Sequence, residues 1–112
     1  MAAARFSRSI PLEDYMQAPA ASGVYEIGYI RGQRFTRLYG GESEVSIRVR
    51  LREHYKQRGN KDIGERVARG ETLRCHWKLS ENPLCVEAKL QQRYRYPDNK
   101  KQESVKTRCY KK

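Results

Sequence analysis

A chain of 112 residues is sized for one domain with a modest core and a stability of roughly 5–10 kcal/mol. Lys+Arg 24 against Asp+Glu 13 leave a formal charge of +11, which points to polyanionic partners, nucleic acid before acidic membrane. Eight tyrosines, two phenylalanines and a tryptophan argue against disorder, and no apolar run approaches the ~18 residues of a membrane span.

The first residues contain Ala, Ser and Arg without an acid, and the apolar centre of a secretory signal is missing. Cys75, Cys85 and Cys109 form an odd set with no CxxC, which fits reduced, buried thiols better than disulfides or a zinc module. A soluble intracellular protein, cytoplasmic or associated with nucleoid or nucleus, is the expectation.

Residues 1–22 read as an N-terminal arm, with one helical turn between Leu12 and Met16 and a loop around Pro19. Gly23 opens a strand through Ile30. Arg31-Gly32-Gln33 is turn-like, and Arg34 to Tyr39 alternates again, so the pair reads as a β-hairpin. Gly40-Gly41 then turns the chain, and Ser43 is placed to cap a helix over Val45–Gln57. Ile47, Leu51 and Tyr55 form its core stripe. Arg50 and His54 flank that stripe, at the border of core and solvent, and Arg48, Arg52 and Lys56 lie on the other side, free to contact phosphate. A short helix over Asp62–Arg69 stops at Gly70. Residues 72–79 alternate as a half-buried strand, with Arg74, His76 and Lys78 on its polar face. Asn82-Pro83 starts a last helix with a Val86, Leu90, Tyr94 stripe and Glu87 on its shoulder. Residues 100–112 form a basic tail, with a short strand possible over Val105–Tyr110.

Phosphodiester hydrolysis needs an attacking water, neutralisation of phosphate charge and help for the leaving oxygen. Glu87 can act as a single carboxylate ligand of Mg²⁺, which keeps water and substrate oxygens in its other positions. The planar guanidinium of Arg50 matches phosphate oxygens. A tyrosine can deprotonate or orient the water, and His54 is either an alternative base or a group that orients a tyrosine. Taken singly, each of these residues is more often a core or surface residue; the set in order is what carries the reading.

Gly23-Val24-Tyr25 and Tyr39-Gly40-Gly41, separated by residues 26–38, resemble the paired motifs that name the GIY-YIG nucleases. Val24 and Gly40 stand where the motif names have isoleucine. Family members carry an arginine on the following helix and, in several branches, a histidine four residues on. Arg50 and His54 fit; Arg48 is the alternative arginine, and the pairing with His54 favours Arg50. The stretch Glu87 to Asn99 is similar to the segment from the metal-binding glutamate to the closing asparagine in the repair nucleases of this family. The resemblance covers residues 23–99.

The resemblance implies an α/β (α+β) domain over residues 23–99, with a three-stranded antiparallel sheet flanked by helices. It implies Mg²⁺ or Mn²⁺ held by Glu87, and a site of Tyr25, Tyr39, Arg50, His54 and Glu87, with Asn99 closing the domain near the nucleic acid. The product would be DNA cut to 5′-phosphate and 3′-hydroxyl ends. Specificity would come from a homodimer or a partner protein, with no membrane involved. The alternative is a non-catalytic basic module binding DNA or RNA through the same face.

Overall fold

A computed structural model describes residues 5–99 and Cys109. In chain order the elements are β1 (Ile10–Pro11), a 3₁₀ helix (Leu12–Gln17), β2 (Gly23–Arg31), β3 (Arg34–Ser43), α1 (Ile47–Tyr55), α2 (Lys61–Ala68), β4 (Arg74–Leu79) and α3 (Pro83–Arg93). The sheet is antiparallel throughout, in the order β1-β4-β2-β3. The α+β class is as expected, and among the described residues the sheet has four strands rather than three. The extra strand comes from the segment expected to be an arm. Ile10 and Pro11 pair with Cys75 and Arg74, and Pro11 sits on the edge, where a missing N–H leaves no inner ladder bond unmade. Leu12 and Ala18 are buried in the core, so residues 10–18 are built into the domain instead of lying outside it.

The β2–β3 hairpin turns on two residues, Gly32 and Gln33, rather than three. Gly32 has φ +65°, the conformation that a Gly-first hairpin turn requires. A bulge between Ile27 and Gly28 shifts the register by one residue. The larger correction is at Gly40-Gly41. These glycines do not turn the chain: β3 runs on through them to Ser43, opposite Glu26, Tyr25 and Gly23. What they provide is clearance. A Cβ on Gly41 would lie 2.3 Å from Tyr25 Oη, and one on Gly40 would lie 2.9 Å from the Tyr96 ring.

Helix α1 begins later than Ser43 suggested. Ser43 Oγ accepts from the amides of Val45 and Ser46, and Ser46 is the cap, accepting from Val49 N. The amides of Ile47 and Arg48 bond the carbonyls of Ala21 and Pro19, so the loop before β2 holds the start of α1. Ile47 and Leu51 are buried as expected, but His54 is fully buried too, not at the solvent border. In α3, Pro83 stands at the first turn, and the buried side is Cys85, Glu87, Ala88 and Gln91 rather than the Val86–Leu90 stripe. Glu87 is thus on the packed side, not its shoulder. Cys85 and Cys109 form a disulfide, against the expectation of three reduced thiols. Cys75 is free, buried in the core, and burial pushes its thiol up to about 12. The strand proposed over Val105–Tyr110 lies outside the described residues, apart from Cys109. Among the described residues no helix is long and apolar enough to cross a membrane.

Candidate functional site

Strand alternation puts Tyr25 and Glu26 on opposite faces of the sheet. Each anchors a polar cluster. On the first face Tyr25 pairs with Gly41 and Ile27 with Tyr39, so the two tyrosines stand side by side, their ring centroids 6.3 Å apart. His54 of α1 packs on both, at 5.6 Å from Tyr25 and 4.9 Å from Tyr39. Its Nε2 lies 2.8 Å from Tyr25 Oη, and its Nδ1 lies 3.1 Å from the backbone N of Asn60.

Arg50 is one turn before His54 on the same helix. Its guanidinium acts on Tyr25 and Tyr39 and also pairs with Glu53 at 2.6 Å, and its side chain stays 41% exposed. Glu87 of α3 is near enough for its charge to act on both tyrosines. Burial first, and the neighbouring Tyr39, raise Tyr25 well above its ordinary range, and Arg50 opposes the shift. Burial and Glu87 likewise raise Tyr39. His54 is pushed down to about 3 by burial and by the Arg50 cation. Tyr25, Tyr39, Arg50, His54 and Glu87 are therefore brought together from β2, β3, α1 and α3.

The other expected nucleic-acid contacts are placed differently. Arg48 Nε bonds the carbonyl of Ala18 at 2.8 Å. Arg52 and Lys56 are exposed, on the flank of α1 away from Arg50 by the helical period. The amide of Asn99 is occupied on both sides by Gly40, donating to its carbonyl and accepting from its N–H, each at 2.9 Å. Asn99 thus ties the exit of α3 to β3, the strand in which Gly41 clears Tyr25.

On the second face lies a cluster that sequence reasoning missed. Glu26 is fully buried and accepts from Arg37 Nε at 2.7 Å, from Tyr96 Oη, and pairs with His76 Nε2 at 2.6 Å. His76, expected on the polar face of its strand, is stacked against Phe6 and Phe35 at centroid distances of 4.4 and 4.1 Å. Arg37 lies 3.7 Å over the Tyr94 ring. Burial works to raise the Glu26 carboxyl, and the partners His76, Tyr96 and Arg37 outweigh it and hold the group below its usual range. The sequence shows only an acid in the middle of β2; its pairing with Arg37 and His76 on the flanking strands comes from the fold.

Among the described residues no group of three His, Cys, Asp or Glu side chains is arranged to hold a metal. The carboxylates whose charges act at this cluster are Glu87, on both tyrosines, Glu42, on Tyr39, and Glu53, on Arg50. Comparison of the chain with protein-family models, with curated proteins and with solved structures finds no match in any of the three.

Proposed function

We propose that the chain is a divalent-metal-dependent DNA endonuclease whose site is Tyr25, Tyr39, Arg50, His54 and Glu87. The observation that supports this reading is the convergence of these five residues, on a chain of charge +11, around one half-open guanidinium. Arg50 binds the non-bridging oxygens of the scissile phosphate, leaving Glu53 to do so. Tyr39, half-buried, lines the approach, and Tyr25 takes a proton from the attacking water or orients it. Water oxygen bonds to phosphorus, the bond from phosphorus to the 3′ oxygen breaks, and that oxygen takes up a proton, giving 5′-phosphate and 3′-hydroxyl ends. Glu87 would hold Mg²⁺ or Mn²⁺, and a bound cation supplies charge neutralisation at the phosphate. At neutral pH the resting Tyr25 is protonated, so it becomes a base only when cations in the substrate complex lower its pKa. Sequence or structure preference would come from a second copy of the chain or from a partner protein.

The test is nicking of supercoiled plasmid in Mg²⁺. The expected result is a nicked product that DNA ligase reseals without prior phosphorylation, with nicking abolished by chelator and by Glu87→Gln. Cleavage undiminished in Glu87→Gln overturns the site. Salt-sensitive DNA binding without cleavage under any divalent metal returns the chain to the binding-module reading.

A further inference from the structure

The turn after α1 has no part in the chemistry above, yet it touches the most enclosed polar side chain of the site. His54 has 0% exposure, and both its ring nitrogens are engaged. An amide N–H can only donate, so Nδ1 beside Asn60 N must accept and carries no proton. A neutral imidazole has one proton, which then sits on Nε2 and is directed at Tyr25 Oη. A second proton on Nδ1 would face the Asn60 N–H donor to donor, in a buried space beside the Arg50 cation.

The turn is built to keep that amide in place. Gln57 closes α1 at φ 64°, and the amides of Gln57 and Arg58 bond back to His54 and Glu53. A Cβ on Gly59 would lie 2.5 Å from His54 Nδ1, so a side chain there displaces the ring or the turn. Asn60 is fixed through its own side chain: Oδ1 accepts from Ile63 N at 2.9 Å, and Nδ2 donates to the Asp98 carbonyl at 3.0 Å. Asp98 is clamped in turn by Arg66 at 2.8 Å. The Asn60 N–H is therefore tied both to α2 and to the segment leaving α3.

We propose that His54 is a positioning residue, locked by the Gly59–Asn60 turn as a neutral Nε2–H donor to Tyr25 Oη, and that it does not take a proton from tyrosine or water. This decides between the two roles that spacing alone left open for His54. With His54 donating, the hydroxyl hydrogen of Tyr25 points away from the ring, and a phenolate formed at Tyr25 keeps a donor. The reaction role rests on the endonuclease reading, whereas the protonation state does not.

The first measurement is made on the unmodified protein. Long-range ¹H–¹⁵N correlation resolves the imidazole nitrogens of the two histidines, and the spectrum of His54→Gln assigns which is which. The expected result is one neutral tautomer protonated at Nε2, unchanged between about pH 5 and about pH 8, the range in which an ordinary histidine titrates. An Nδ1–H tautomer, or an imidazolium forming in that range, overturns the proposal.

The second measurement is cleavage. Glutamine in place of His54 can donate to Tyr25 but cannot act as a base. His54→Gln is expected to keep cleavage within about tenfold of wild type, and His54→Ala to lose about 100-fold. Equal losses in the two overturn the donor role. Gly59→Ala should lose cleavage with its far-ultraviolet circular dichroism intact; full activity would show that the turn does not set the ring. If the wild-type protein cuts no DNA, the endonuclease reading falls, and the tautomer is still decided by the resonance measurement.

Discussion

Tyr25 and Glu26 are neighbours on β2, both shielded from solvent, and the clusters they anchor on the two faces of the sheet are opposite in kind. Glu26 carries a charge with its partners drawn from three directions: Arg37 on β3, His76 on β4 and Tyr96 beyond α3. Phe6 and Phe35 cover His76, and Tyr94 covers Arg37. Tyr25 has a neutral partner in His54 and a cation, Arg50, whose second tie is to Glu53, a residue itself 39% exposed. A buried charge left with missing partners is strongly destabilising, so the closed cluster holds the fold. An exposed ion pair contributes little, so the open cluster can exchange Glu53 for a phosphate at small cost.

That contrast sets the expected effects of substitution. The largest is on catalysis. On the proposed reading, Arg50→Ala or Glu87→Gln should lower cleavage by about 1000-fold or more, since each would remove charge stabilisation at the phosphate. Next is stability. Arg37→Ala leaves the Glu26 carboxylate buried with a missing cation and should lower unfolding free energy in urea by about 3–5 kcal/mol. Cleavage per folded molecule should be unchanged.

A third effect separates the clusters by pH. His54 has a folded-state pKa of about 3, below its ordinary value of about 6.5. A depressed group contributes stability that is present above the unfolded pKa and lost as pH falls through the folded one. Loss tied to His54 thus begins near pH ~6.5. The depressed carboxyl of Glu26 follows the same sign, but its loss begins only below about pH 4.3. Acid unfolding curves should show the upper part of the decline flattened by His54→Gln and the lower part by Glu26→Gln. The smallest effect is a control away from both clusters. Gly32→Ala meets no atom within 4 Å but is strained at φ +65°, so it should cost about 1 kcal/mol in a denaturant titration and leave cleavage intact.

Much of this architecture was legible in the sequence because it rests on local signals. The alternation of β2 and β3 gave the hairpin, and Gly70, at φ +79°, ends α2 close to where the helical pattern stopped. Non-local effects account for what was not legible. Strand β1 has two residues, one of them proline, and exists because β4 offers it an edge. Ser43 was the expected cap of α1, and the later start at Ser46 goes with the bonds from Ile47 and Arg48 to the loop carbonyls of Ala21 and Pro19. Gly40-Gly41 looks like a turn until the rings of Tyr25 and Tyr96 are set above it. The burial of Glu26 and His76 was not legible, because the residues that enclose them lie far away in the chain. The five residues proposed as the site were singled out by their resemblance to family motifs, whereas the Gly59–Asn60 turn beside His54 matches no motif and is visible only in the hydrogen-bond geometry.

The difference between the two faces is tested most directly by the nicking rate, in Mg²⁺ and per folded molecule, of Arg50→Ala beside Arg37→Ala. The expected result is loss of nicking in Arg50→Ala at near-normal stability, and a normal rate in Arg37→Ala despite its lower stability. Undiminished nicking in Arg50→Ala would contradict the assignment of the Tyr25 cluster as the reacting site.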